Sequence, residues 1–232
     1  MSFKILVSLD ILAGRVVRLV KGQEDALTEY SDDPVAVARF WIGRGFDGLH
    51  IVDLDAALGR GNNWPVIDRV LSLRGIFKEV GGGIRDISRI EMMLSNGADR
   101  VVLGTGAIKG TIDLGKIKQK DRMVIALDKL GNSVAIEGWK ATENRHPLEL
   151  LPEFLDMGFT NFLITNVEAD GTKRGINTED IISVSPKYRS YIYLSGGILF
   201  DDLEAVKSLG YAGAIIGKAA YDKFLSGNGR LE

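Results

Sequence analysis

Short runs rich in Val, Ile and Leu alternate along the chain with longer stretches whose apolar residues recur every three or four positions. The runs at 5–9, 49–53, 77–80, 100–103, 123–127, 161–165, 191–194 and 214–216 predict strands. Helical patterns lie near 34–44, 64–73, 87–96, 112–119, 147–157, 178–184, 201–209 and 219–225. Asp33-Pro34 and His146-Pro147 read as helix starts, because proline's fixed φ and missing N–H suit the first turn. Eight strand–helix alternations predict an α/β chain forming a single-domain (βα)8 TIM barrel, not an open sheet. A doubly wound sheet would carry G-x-G-x-x-G after its first strand. Asp10-Ile11-Leu12-Ala13-Gly14 is not that motif, and no linker divides the chain.

The second half repeats the first. Residues 46–63 read FDGLHIVDLDAALGRGNN and residues 159–177 read FTNFLITNVEADGTKRGIN, sharing Arg-Gly-x-Asn at Arg60 and Arg174. Gly81-Gly82-Gly83-Ile84 is matched by Ser195-Gly196-Gly197-Ile198, and Val101-Val102-Leu103-Gly104-Thr105 by Ala214-Ile215-Ile216-Gly217-Lys218. Leu9-Asp10 pairs with Leu127-Asp128. The offsets are 113 or 114 residues for the first three pairs and 118 for the last. They exceed any solenoid period and predict two fused half-barrels, approximately 1–120 and 121–232.

Composition narrows the chemistry. With 29 Lys+Arg against 31 Asp+Glu the formal net charge is −2, which offers no basic field to nucleic acid. Hydrophobic residues at 45% describe an ordinary globule with a large core. Zero cysteines exclude disulfides and thiol chemistry, and two histidines, His50 and His146, make a histidine-rich metal site implausible. No metal or cofactor is expected. A carboxylate at Asp10 interrupts the N-terminal apolar run before a signal sequence could form, and no run reaches transmembrane length. The expectation is a cytoplasmic protein with no membrane partner. Glycine is in excess: 28 residues is about 12% of the chain against a usual ~7%.

Those glycines cluster where strands end, on the face where barrel enzymes place their working groups. Gly82, Gly83, Gly104 and Thr105 predict one phosphate pocket built on free backbone N–H groups. Gly196, Gly197, Gly217 and Lys218 predict a second pocket across the mouth, which Asp170-Gly171-Thr172 would extend. The ligand this spacing suggests carries a phosphate at each end and its reacting centre between them. Asp10 and Asp128 end strands one and five, so they oppose each other across the axis, with Leu6, Ser8 and Ala126 on the same inward faces. Opposed carboxylates suit general acid and base work, one protonated and one ionised; the alternative is that each caps the following helix. The Thr165 hydroxyl could hold a reacting oxygen. Trp139, on a polar loop, could stack on a flat heterocycle, whereas Trp41 and Trp64 read as packing. His146 reads as a loop residue, and His50 as core or ligand-facing.

These residues, with Gly14-Arg15-Val16-Val17-Arg18-Leu19-Val20-Lys21-Gly22, His50-Ile51-Val52-Asp53-Leu54-Asp55, Gly81-Gly82-Gly83-Ile84-Arg85, Gly138-Trp139, Asp170-Gly171-Thr172 and Ser195-Gly196-Gly197-Ile198, resemble the half-barrel enzymes of histidine biosynthesis almost end to end. Within them they resemble the ProFAR isomerases. The resemblance implies an Amadori rearrangement of a substrate with two phosphates, the aminoaldose ProFAR becoming the aminoketose PRFAR. It implies Asp10 as general base at C2, Asp128 as general acid at the ring oxygen, and Thr165 assisting. It further implies substrate contacts from Arg18, His50, Arg85, Trp139 and Asp170, no cofactor, and a monomer. Ala169 stands where many relatives carry a basic residue, and the segment 109–120 is short enough to trim an outer helix. The rivals are the sister cyclase (imidazole glycerol phosphate synthase), a bifunctional isomerase that also accepts phosphoribosyl anthranilate, and a non-catalytic binder of phosphorylated metabolites. Arg18-Leu19 and Trp139 favour the isomerase over the cyclase.

Overall fold

The computed structural model describes residues 2–225. Its strands are β1 (Lys4–Leu12), β2 (Arg15–Val20), β3 (Gln23–Ser31), β4 (Gly48–Asp53), β5 (Phe77–Gly81), β6 (Arg100–Leu103), β7 (Met123–Ala126), β8 (Lys129–Leu130), β9 (Ser133–Ile136), β10 (Ala141–Glu143), β11 (Phe162–Thr165), β12 (Ile192–Ser195) and β13 (Gly213–Ile216). Eight of them, β1, β4, β5, β6, β7, β11, β12 and β13, pair in parallel in that order. β13 returns to β1 with Gly213 opposite Lys4 and Ile216 opposite Val7, so the sheet closes into the expected barrel. Strand alternation sorts the side chains. Leu6, Val102, Val124, Ala126, Leu163, Tyr193 and Ile215 fill the interior. Val7, Leu9, Leu49, Ile51, Val80 and Val101 face outward and belong to the larger core beneath the helices.

The ends of the chain are joined around one ring. Trp41, fully buried on the helix Pro34–Trp41, lies 5.0 Å from the Tyr221 ring and 5.8 Å from Phe224 on the helix Lys218–Phe224. The Tyr221 hydroxyl donates to the Ser8 carbonyl at 3.0 Å, which fixes the last helix against the first strand below the site.

Several expected elements differ. The helix near 112–119 does not form. Asp113 accepts from the Gly115 amide and starts a turn, leaving only the 3-10 segments Leu114–Lys116 and Lys120–Arg122. The pattern near 34–44 stops as a helix at Trp41, before Gly43 and Gly45 at φ 81 and 83. The pattern near 201–209 splits into a 3-10 turn, Phe200–Asp202, and the helix Leu203–Ser208. Two additions went unpredicted, the β2–β3 hairpin that extends the barrel sheet from β1 and the separate β8–β10 meander after strand five. Both stand on the loops at the barrel mouth. Among the described residues no helix is long and apolar enough to cross a membrane.

Candidate active site

β1 runs past the barrel wall and carries Asp10 into the mouth, paired in register with Val17 of β2 and Val52 of β4. Ser8, two residues earlier on the same face, donates to Asp10 Oδ1 at 2.7 Å, and Arg18 Nη1 lies 2.8 Å from Oδ2. Arg18 also reaches across the mouth to pair with Asp170 through Nη2. All three charged groups are buried or nearly so. Their arrangement engages both oxygens of Asp10. Asp170 differs: burial pushes it up to about 6, with help from Asp10 and Asp128 and against the pull of Arg18.

Asp128 follows β7 and is held from the opposite wall. The Trp139 indole N–H donates to Oδ2 at 2.7 Å, while Oδ1 is buried and has no hydrogen-bond partner. Burial raises its pKa, and the Trp139 indole, the Thr165 hydroxyl and His50 only partly oppose that. A carboxyl in that setting keeps its proton to higher pH than an exposed aspartate. Trp139 reaches Asp128 because Glu137, Gly138 and Trp139 turn the β9–β10 connection with φ of 56, 64 and 67. Left-handed backbone disfavours non-glycine residues, so this turn is held by its contacts. One of them is Gly22, at φ 71, where a Cβ would stand 2.9 Å from the Trp139 ring. The turn after β2 and the turn after β9 thus meet over the mouth.

Neither aspartate caps a helix, so the capping alternative fails on geometry. The glycines have a second cause besides any ligand. A Cβ on Gly82 would lie 2.3 Å from the Asp53 carbonyl oxygen, and one on Gly196 2.2 Å from that of Asn166. Gly83 and Gly197 meet Ala56 and Ala169 in the same way, so Ala169 is packed under a glycine cradle. Around the second cradle, Arg18, Gly171, Gly196, Gly197, Gly217 and Lys218 line a cavity of about 250 Å³ together with Lys173. The Arg18 guanidinium covers Gly217, where a Cβ would sit 2.6 Å from Cζ. At the first cradle Gly104 faces open space, but the Thr105 hydroxyl accepts from the Glu137 amide at 2.8 Å. Arg85 is exposed at this rim, 3.5 Å from the Ala56 carbonyl.

Residues 4–226 match the family described as histidine biosynthesis protein. The chain belongs to that family. It is 38% identical over 232 residues, 98% of this chain and 99% of the relative, to the 1-(5-phosphoribosyl)-5-((5-phosphoribosylamino)methylideneamino)imidazole-4-carboxamide isomerase of Cenarchaeum symbiosum. It is 40% identical to the isomerase of the same name from Moorella thermoacetica, covering 98% of this chain and 95% of the relative. The one from Methanocaldococcus jannaschii is 38% identical, with 94% and 93% covered.

Within this family fold, four site residues escaped the sequence reading. Ser8 could have been found, since it shares Asp10's inward face at the period of two. Glu79 is the pairing partner of His50, with Oε1 at 2.7 Å from Nδ1, and a carboxylate amid an apolar strand was the available signal. Lys173 and Gly22 carried none, because their places depend on how separate loops meet. His146 proves to be a helix cap, its Nδ1 accepting from the Leu148 amide at 3.2 Å.

Proposed function

We propose that the chain is an aldose–ketose isomerase of histidine biosynthesis, converting ProFAR to PRFAR by an Amadori rearrangement. The observation that carries this reading is the unequal pair of carboxylates between two glycine cradles. Asp10 has both oxygens engaged by Ser8 and Arg18, whereas Asp128 keeps a buried oxygen with no partner. Unequal environments assign the base and the acid. Asp128 gives its proton to the ring oxygen as the aminoaldose opens, and the Thr165 hydroxyl beside it steadies that oxygen. Ring opening leaves C1 double-bonded to nitrogen. Asp10 takes the proton from C2, and the C2–H pair forms C1=C2 while the C1=N pair moves to nitrogen. The enol loses its hydroxyl proton as C1 is protonated to give the ketone. The phosphates occupy the two cradles, one at Gly82, Gly83, Gly104 and Thr105, the other at Gly171, Gly196, Gly197, Gly217 and Lys218. Arg18 lines the second cradle, so a phosphate there competes with Asp170 for its guanidinium. His50, Arg85 and Trp139 contact the substrate between and beside the cradles.

The repeat is read as two half-barrels, approximately 1–120 and 121–232, working as a cytoplasmic monomer without cofactor. The test is turnover of ProFAR by the purified chain, coupled to excess cyclase supplied with ammonia. Product formed from the ketose and ammonia when this chain replaces the cyclase would move it to the sister activity. Turnover of phosphoribosyl anthranilate would extend the reading to a bifunctional isomerase. Tight substrate binding with no turnover in any arm would leave a binder.

A further inference from the structure

Inside the barrel, one layer below Asp10, a second carboxylate is more deeply buried than either aspartate. Glu79 is 1% exposed and sits opposite His50 in the β4–β5 register, while His50 lies opposite Ser8 on β1. Glu79 Oε1 is 2.7 Å from His50 Nδ1, and Oε2 has no hydrogen-bond partner. A buried carboxylate is tolerated where a donor or a counter-charge meets it. Nδ1 is the ring nitrogen that reaches Glu79, and Arg100 is the register partner of Glu79 on β6. The Glu79 oxygen is placed to accept from Nδ1, the arrangement in which Nδ1 carries the hydrogen. The bond at one ring nitrogen then fixes the state and direction of the other. Nε2 has no hydrogen bond to any described residue, and the imidazole is close enough to Asp128 to act on its charge.

We propose that Glu79 is a positioning residue for the reaction: by accepting from His50 Nδ1 it locks the imidazole tautomer and presents Nε2 to the substrate between Asp10 and Asp128. The proposal rests on the isomerase reading for its kinetic part only. Glu79 itself touches no reacting atom. His50 lies opposite Ser8 on β1 and Glu79 on β5 and near Asp128 after β7, and Glu79 is the one in contact with Nδ1.

The experiment uses the full chain labelled with ¹⁵N-histidine. Only two imidazoles contribute, and His146→Asn assigns them. Near pH 8, above the ordinary imidazole range of about 6.5, Nδ1 of His50 should carry a proton in the wild type and in Glu79→Gln, whose carbonyl still accepts. In Glu79→Leu that proton should move off Nδ1. In turnover, Glu79→Leu should lower kcat by about tenfold to a hundredfold, as for a misaligned reacting group, with KM little changed. Glu79→Gln should recover most of the loss. In a His50→Gln background, Glu79→Leu should cost nothing further. A bare Nδ1 in the wild type overturns the proposal, as does a Glu79→Leu penalty that persists without His50. Should the leucine variant not fold, the wild-type and glutamine spectra still decide. A protonated Nδ1 in a chain with no ProFAR turnover would uphold the contact and overturn the isomerase reading instead.

Discussion

Asn63 and Asn177 close the two copies of Arg-Gly-x-Asn, and the barrel uses them differently. Asn63 is buried, and its Nδ2 donates to Ile11 O, Asp53 Oδ1 and Asp55 Oδ2 at 3.1, 2.8 and 2.8 Å. Its Oδ1 accepts from the Gly14 amide at 2.7 Å, so the loop after β4 is tied to the end of β1. Asn177 is exposed and caps the helix Thr178–Ser183 through the Glu179 amide at 3.0 Å. Beside it lies a cavity of about 600 Å³ walled by Ile164, Ile176, Ile181 and Leu194 and spanned at the rim by Lys129 and Asp180, 2.6 Å apart. The cradles repeat this contrast: Gly104 stands open, and Gly217 is covered by Arg18. Repetition has kept the backbone, including the glycines that the neighbouring chain demands, while the side chains around it diverged. That divergence gives two aspartates at equivalent strand ends different surroundings, which the proposed acid and base roles require.

The largest expected effect tests that inequality. Asp10→Asn and Asp128→Asn should each lower kcat by about 10²–10⁴-fold, the usual contribution of a positioned acid or base, with KM changing far less. A variant of either kind that keeps wild-type kcat in the coupled assay would break the pairing. Asp170→Asn should fall well short of the Asp128 effect. An equal loss would shift the acid role to Asp170, which burial already pushes up to about 6.

Asp170 also gives a stability test whose sign follows from linkage. Its folded-state pKa lies above the model-peptide value, so the folded chain holds that proton more tightly, and stability falls as pH rises from about 4 to about 6. Relative to Asp170→Asn, the wild type should lose up to about 3 kcal/mol across that window, at 1.36 kcal/mol per pKa unit. Urea unfolding of both proteins at pH 4, 5, 6 and 7 reads the difference, and parallel curves would refute it.

The two asparagines sharpen the contrast between halves. Asn63→Ala should destabilise by about 2–3 kcal/mol, because it removes the donor shared by Ile11 O, Asp53 and Asp55 and the acceptor of the Gly14 amide. Asn177→Ala should cost about 1 kcal/mol, the ordinary value of a lost helix cap. Equal losses in chemical denaturation would mean that the halves are equally tied. The smallest effect belongs to Gly22→Ala. It strains a left-handed residue by about 1 kcal/mol and presses on the Trp139 ring, so it should raise KM more than it lowers kcat.

Much of this protein was legible along the chain. The period-two runs and their spacing gave the barrel, because a strand with one polar inward residue and apolar neighbours has few other places to go. The repeat located both glycine cradles and the opposed aspartates, since strands one and five of a closed eight-strand barrel stand across its axis. The β2–β3 hairpin and the β8–β10 meander on the mouth were not read: β3 is as polar as a loop, and β2, though apolar at Val16, Val17 and Leu19, has its place only between β1 and β3. What tertiary structure alone decided is how differently the two carboxylates are surrounded. Asp10 and Asp128 each end the same Leu-Asp pair in the sequence, and their difference comes from Ser8 on the strand of Asp10 and from Arg18, Trp139 and Thr165, brought from three other elements. Protonation depends on burial and on the charges within a few ångströms, and chain order does not record either.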